Sequence, residues 1–180
     1  MLAGKVAGAI VGCGGMGGGH AVAIATGSGQ ALWMTDGSKG RELLPGDTDL
    51  TTKMVLAGTY DIKEERQEWA RKQGFATYNS FEEILEDDRV DVVLVATPND
   101  SHKELSIRAM RAGKHVLCEK PVMMTSKDLE DVLAVAKETG KVFYPRQNRR
   151  WDKDYLTMKK VFDEKLIGNV FHIESRYHGS

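Results

Sequence analysis

Cysteine is scarce in this 180-residue sequence, which holds only Cys13 and Cys118. Two thiols are too few for a disulfide framework or a zinc site, and they fit a reducing, cytoplasmic setting. His20, His115, His172 and His178 show no metal-ligand spacing, so no metal is expected. An excess of basic charge is also missing. With 25 Lys and Arg against 26 Asp and Glu the formal net charge is -1, which leaves no footprint for nucleic acid. No apolar run approaches the roughly 20 residues that a bilayer-spanning helix needs. At the N-terminus Gly4, Gly8, Gly12 and Gly14 break up the apolar residues, so a secretory leader is not expected. What remains is ordinary for a globular protein: 41% hydrophobic and 28% charged residues, enough for one domain and the start of another.

Within that composition the chain alternates. Lys5 to Val11 reads as a buried strand running into a glycine-rich turn, and a helix from about Met16 to Thr26 follows, stopped by Gly27-Ser28-Gly29. Residues 28–51 mix Gly, Asp, Ser and Pro around Ala31-Leu32-Trp33-Met34 and read as an inserted loop. Met54 to Tyr60 is a second strand, and the charged segment from Lys63 to Gln73 a helix ended by Gly74. Ser80-x-x-Glu83 and Ser101-x-x-Glu104 both have the form of a capping box. Between them Val90 to Ala96 is nearly continuous Val and Leu, the mark of a strand covered on both faces. His115 to Cys118 and Val142 to Tyr144 complete the strands, separated by a helix over about 127–139. About six alternations without a hairpin signal predict a Rossmann-type α/β fold, a doubly wound parallel sheet.

After Pro145 the pattern changes. Asp152 to Glu164 reads as a charged helix, and Phe171 to Tyr177 alternates strictly, as a strand in a half-exposed sheet would. The expected division is a dinucleotide-binding domain over 1–146, then a linker helix and first strand of an incomplete second α/β domain over 147–180.

Gly12-x-Gly14-x-x-Gly17 stands between the first strand and the first helix. In that context Gly12 permits the tight bend, Gly14 lets the backbone approach a pyrophosphate, and Gly17 lets the helix pack on the strand. An acidic residue closing the second strand should bind the adenosine ribose and repel a 2′-phosphate. Asp36 meets the spacing of roughly 20 residues. Asp61 comes later, but it closes the better strand and precedes the better helix, so it is the choice, with NAD expected over NADP. Either Asp could instead merely cap a helix or turn. Thr97-Pro98-Asn99 sits where a strand leaves the sheet, and Asn99 can offer an amide to a ligand. His102, in the next helical turn, is either a cofactor contact or a packing histidine.

Lys120 is the catalytic candidate, because oxidising an alcohol needs a base or relay for the hydroxyl proton. Burial or a neighbouring cation could lower a lysine's pKa enough for that work. Glu119 could orient its amine or touch a ribose, and Pro121 fixes the turn. Arg146, Arg149 and Arg150 around Gln147, Asn148 and Trp151 suit an anionic or polyhydroxy substrate, or a solvated linker. Cys13 and Cys118 read as buried fillers.

These residues together resemble the glucose–fructose oxidoreductase and inositol dehydrogenase family, often called Gfo/Idh/MocA. The resemblance rests on the glycine turn, on Ala96-Thr97-Pro98-Asn99-x-x-His102, on Ala112-Gly113-Lys114-His115-Val116-Leu117-Cys118-Glu119-Lys120-Pro121, and on Gln147-Asn148-Arg149-Arg150-Trp151. It implies an NAD(P)-binding domain joined to a second domain whose open sheet carries substrate contacts and usually the homo-oligomer interface. It implies sugar or polyol substrates, makes Lys120 the catalytic lysine, and favours Asp61 over Asp36. The expected cofactor contacts are Gly12, Gly14, Gly15, Met16, Gly17, Asp61, Ile62, Thr97, Pro98, Asn99, His102, Glu119, Lys120 and Asn148, with Arg149 and Trp151 toward the substrate. Such proteins usually bring an Asp and a His from the second domain, beyond the stretch seen here. The sequence is therefore expected to be the cofactor domain with part of the catalytic site missing, binding cofactor and turning over poorly. A non-catalytic dinucleotide-binding or regulatory module, or a scaffold pairing through 171–177, are the competing readings.

Overall fold

The computed structural model describes residues 4–27 and 49–176, so Asp36, the apolar piece 31–34, most of the inserted loop and the end of the chain after Arg176 lie outside the described residues. The chain divides into two compact units, 1–146 and 147–180.

In the first unit five strands form one parallel sheet: β1 (Val6–Val11), β2 (Met54–Tyr60), β3 (Val92–Val95), β4 (His115–Cys118) and β5 (Phe143–Pro145), in the order β2-β1-β3-β4-β5. The helices are α1 (Gly15–Thr26), α2 (Glu64–Lys72), α3 (Phe81–Glu86), α4 (His102–Arg111) and α5 (Ser126–Thr139). The two-residue period of the strands sorts their side chains onto two cores. Ala9, Val11, Val93, Val95, Val116 and Cys118 point to one face, packed with Phe81 and Ile84 of α3, Ala109 and Met110 of α4, and Val132 and Val135 of α5. Ile10 and Leu94 point to the other, where Ala21 and Ile24 of α1 cover them. The sheet is thus doubly wound, as the alternation of the sequence predicts. In this strand order the winding direction reverses between β1 and β3, and the crevice at the carboxyl ends of those strands is where such folds take ligands.

Local signals decide most element ends. Gly27 and Gly140 stop α1 and α5 in the left-handed conformation, with φ of 77° and 66°. Ser80 caps α3, its Oγ accepting from the Glu83 amide at 3.2 Å. The Glu83 carboxylate reaches back one residue further than a capping box requires, to the Asn79 amide at 2.8 Å. The expected cap at Ser101 is not formed. Ser101 is itself helical, ends a 3₁₀ turn that leads straight into α4, and donates its hydroxyl to the Pro98 carbonyl at 2.7 Å.

Behind α3 a polar knot joins the segments that lead into β3 and β4. Asp87 accepts from the Tyr78 hydroxyl at 2.8 Å and from Arg89 Nε at 2.8 Å, while its carbonyl takes Lys114 Nζ at 2.7 Å. The Arg89 hydrogen bonds, with that of Tyr78, hold the Asp87 carboxyl well below the usual carboxylate range. A depressed folded pKa adds stability that is complete above the unfolded value of about 3.9 and is lost as the pH falls below it. Urea melts should therefore show the wild type losing more stability between pH 6 and pH 3 than Asp87→Asn does. Equal losses would remove this knot as a source of acid sensitivity.

The second unit holds a 3₁₀ turn (Asn148–Trp151) and α6 (Lys153–Asp163). Of the strand expected over 171–177, the described residues 171–176 carry neither strand nor helix, and Phe171 is 99% exposed. Alternation specifies which side chains face a sheet, but a strand forms only where another offers ladder bonds, and among the described residues none pairs with this one.

Candidate dinucleotide site

The site begins where β1 ends. The Gly12 amide donates to the Tyr60 carbonyl at 2.8 Å, and its φ of +91° turns the chain sharply. A Cβ on Gly12 would lie 2.6 Å from the Ala96 carbonyl oxygen, so the turn rests directly on the end of β3. One on Gly17 would lie 1.7 Å from the Gly12 oxygen, so α1 packs on the turn with no room for a methyl. Gly14 and Gly15 are the reverse case: nothing lies within 4 Å of where their Cβ atoms would be. Their backbone faces open space at the N-terminus of α1, where unpaired amides and the helix dipole favour an anion.

That space is a cavity of about 750 Å³. Gly12, Gly14, Gly15 and Met16 form one side; Tyr60, Asp61, Ile62, Lys63 and Arg66 come from the end of β2 and the start of α2; Ala96, Thr97, Pro98, Asp100, Ser101 and Leu105 come from the end of β3 and beyond. Asp61 is tied to the turn itself, because its Oδ2 accepts from the Cys13 amide at 2.7 Å and its Oδ1 from the Lys63 amide at 2.9 Å. Thr97 Oγ1 meets Ser101 Oγ at 2.6 Å, which fixes the opposite wall. Lys63 and Arg66 were not among the expected residues. Their place in a charged helix made them look like solvated surface, though their position just after Asp61 was a usable signal.

Several expected residues lie elsewhere. Gly17 is buried behind the turn, and Asn99 is exposed without lining the cavity. His102 is fully buried: Nε2 faces the Thr97 carbonyl at 2.9 Å, and Nδ1 the Pro121 and Val122 carbonyls at 3.1 and 3.3 Å. His102 thus stitches the Thr97 turn to the Pro121 turn, with both ring nitrogens facing backbone carbonyls. Asn148, Arg149 and Trp151 are exposed in the second unit, where Arg149 Nη1 donates to Asp152 Oδ2 at 2.8 Å.

Glu119 and Lys120 leave the sheet at the end of β4, one strand along from β3. Glu119 is only 4% exposed, and its Oε1 accepts from His20 Nε2 at 2.7 Å and from Arg146 Nη1 at 2.9 Å. Its Oε2 accepts from the Lys120 amide at 3.1 Å. Burial by itself would raise the Glu119 carboxyl, but the His20 hydrogen bond and the Arg146 charge overcome it and hold the group below its ordinary value. Glu119 thus grips the backbone of Lys120 rather than its amine. The Lys120 side chain is exposed, and its peptide bond to Pro121 is cis. Both thiols are buried and pushed up by that burial, Cys118 to about 12, which leaves them inert. Among the described residues no helix is long and apolar enough to cross a membrane.

Residues 6–147 match the sequence profile of a family described as "Oxidoreductase family, NAD-binding Rossmann fold", GFO_IDH_MocA. The chain belongs to this family. It is the family that the glycine turn and the Glu119-Lys120-Pro121 segment resemble. A crystal structure of an NAD-binding protein from Listeria innocua superposes with a TM-score of 0.79 at 44% identity, covering 98% of this chain and 45% of that one. The chain is 34% identical over 138 residues to the 1,5-anhydro-D-fructose reductase of Ensifer adhaerens, a match covering 73% of this chain and 41% of the reductase. It is 35% identical over 100 residues to the scyllo-inositol 2-dehydrogenase (NADP(+)) of Bacillus subtilis, covering 56% of this chain and 28% of that enzyme. The matched stretch is thus less than half of each relative's length.

Proposed function

We propose that this chain is the cofactor-binding part of an oxidoreductase that moves hydride between a nicotinamide dinucleotide and a sugar or polyol. The clearance over Gly14 and Gly15, at the floor of a cavity on the switch point of the sheet, carries the reading. A pyrophosphate fits that floor because donors are present and side chains are not. Asp61 would receive the adenosine ribose hydroxyls, since each of its oxygens keeps a lone pair beyond the backbone bond it already accepts. The polyol class is supported by the names of the relatives, and family resemblance supports a homo-oligomer. Two buried thiols without a disulfide fit the cytoplasm.

When bound, the nicotinamide ring supplies the hydride acceptor. Lys120 Nζ would be the group that takes the substrate's hydroxyl proton, the neighbouring Glu119 carboxylate being bonded to His20 and Arg146 instead. Thr97 and Ser101 keep the wall of the cavity rigid.

NAD is the preferred cofactor, because the Asp61 carboxylate would repel a 2′-phosphate at close range. Lys63 and Arg66 on the same rim are the observation that favours NADP instead. Fluorescence titration with NADH and NADPH decides between them: NADH should bind at least about 10-fold tighter, and Asp61→Ala should bring the two together. Equal binding by the wild type would reject Asp61 as the selector and pass that role to Lys63 and Arg66. No saturation by either would remove the cofactor reading.

A further inference from the structure

Glu119 joins three elements that are far apart in the chain. His20 is on α1, a turn beyond the glycine loop; Glu119 and Lys120 follow β4; Arg146 follows β5, its own amide donating to the Cys118 carbonyl at 2.8 Å. A carboxylate this deeply buried must be paired, and the Arg146 guanidinium supplies a permanent opposite charge. His20 is therefore surplus to neutralisation. Its side chain is 11% exposed, and Nε2, which must carry the proton because a carboxylate only accepts, meets Oε1 at 2.7 Å. Two donors from different elements on Oε1 fix the plane of the carboxylate, and that plane aims Oε2 at the Lys120 amide, 3.1 Å away. With one donor the group can swing toward Arg146 and release that amide.

We propose that His20 is a positioning residue for Lys120: acting through Glu119, it ties the helix of the glycine loop to the backbone of the proton-transfer residue. The functional meaning of this tie rests on Lys120 being the proton carrier, but the tie itself does not. It joins two parts of the site that the sequence separates by 99 residues. It also gives His20 a different task from His102, which holds the turn on the far side of Pro121.

The test uses the full 180-residue chain, labelled with ¹⁵N, and follows amide hydrogen exchange by NMR. In His20→Leu the Lys120 amide should exchange about 10-fold faster, the order expected for one lost charge-assisted hydrogen bond, while Val95 and Ile10 in the sheet keep their rates. His20→Gln presents an amide nitrogen near the place of Nε2 and should restore slow exchange. His20→Ala gives the same comparison should the leucine variant fail to fold. Titrations complete the test: His20→Leu should weaken NADH about 3-fold or more and leave ADP, which lacks the nicotinamide half and reaches only the glycine turn and the Asp61 side, within about 2-fold. Unchanged Lys120 exchange in His20→Leu overturns the proposal. So does acceleration shared equally by Val95 and Ile10, which marks general loosening, or failure of glutamine to rescue. A wild type that binds neither NADH nor ADP ends the cofactor reading, and the exchange comparison still stands or falls by itself.

Discussion

A Gly17→Ala variant is expected to lose the fold, while Gly14→Ala keeps the fold and loses the dinucleotide. The added methyl at 17 would sit 1.7 Å from the Gly12 oxygen and 3.2 Å from the Ala96 Cβ. The Gly12 oxygen is backbone, so no rotamer change relieves the overlap; α1 has to lift off the turn, and Ile10 and Leu94 lose the cover of Ala21 and Ile24. Overpacking of this kind costs about 1–3 kcal/mol where flexible side chains can yield, and more where backbone must move. Against a total stability of about 5–15 kcal/mol for a domain, a loss of about 4 kcal/mol or more is disabling. At Gly14 the backbone has a φ of -67°, which alanine adopts freely, and its methyl would enter the open cavity. The unfolded chain loses entropy, the helix cap weakens slightly, and the net change should stay within about 1 kcal/mol. The methyl would occupy the place reserved for the pyrophosphate, so NADH affinity should fall at least about 10-fold. Urea melts read the first effect and NADH titration the second. Normal binding by Gly14→Ala would mean that the dinucleotide does not approach this turn.

The pair also shows what a sequence can carry. Glycines at fixed offsets between a Val-rich strand and an Ala-rich helix prescribe a turn, and the turn prescribes where space must be left. The strands were legible for a similar reason: Val92 to Val95 has to be covered on both faces, and a sheet with helices on each side is the structure that does so. Where a pattern had two physical solutions, reading it was not enough. Ser101-x-x-Glu104 suits a cap, but Thr97 and the Pro98 carbonyl compete for the serine hydroxyl and win, so the helix starts from a 3₁₀ turn instead. The alternation at 171–176 describes half of a pairing whose other half is not among the described residues.

In the site, the contacts that follow the chain locally were within reach, and those that cross the sheet were not. Asp61 closes a strand beside the glycine turn in any parallel fold of this order. His102 was ambiguous because its partners Pro121 and Val122 come from the next strand end, and nothing in the local spacing says that they offer carbonyls. The His20–Glu119 bond was beyond reach altogether, since it depends on how α1 lies against the end of β4.

Lys120→Met, in a polypeptide of the relatives' length carrying this sequence, is expected to lower turnover of a sugar or polyol by about 10²–10⁴-fold, the range of general acid–base catalysis. NADH affinity should stay within about 3-fold, because methionine keeps an unbranched apolar stem and the bond from residue 120's amide to Glu119 Oε2 is a backbone bond. Lys120→Arg makes the argument sharper. Arginine preserves the positive charge but does not release its proton, so a residue needed to relay a proton fails with arginine, and one needed only as a cation is rescued. Loss of turnover in both variants with binding intact supports Lys120 as the proton carrier. Retention by Lys120→Arg would assign it an electrostatic role, and normal turnover by Lys120→Met would remove it from the chemistry. The Glu119 carboxylate beside Lys120 is bonded to His20, Arg146 and the backbone amide of residue 120, so changing the lysine side chain leaves those bonds in place and separates an effect on turnover from one on binding.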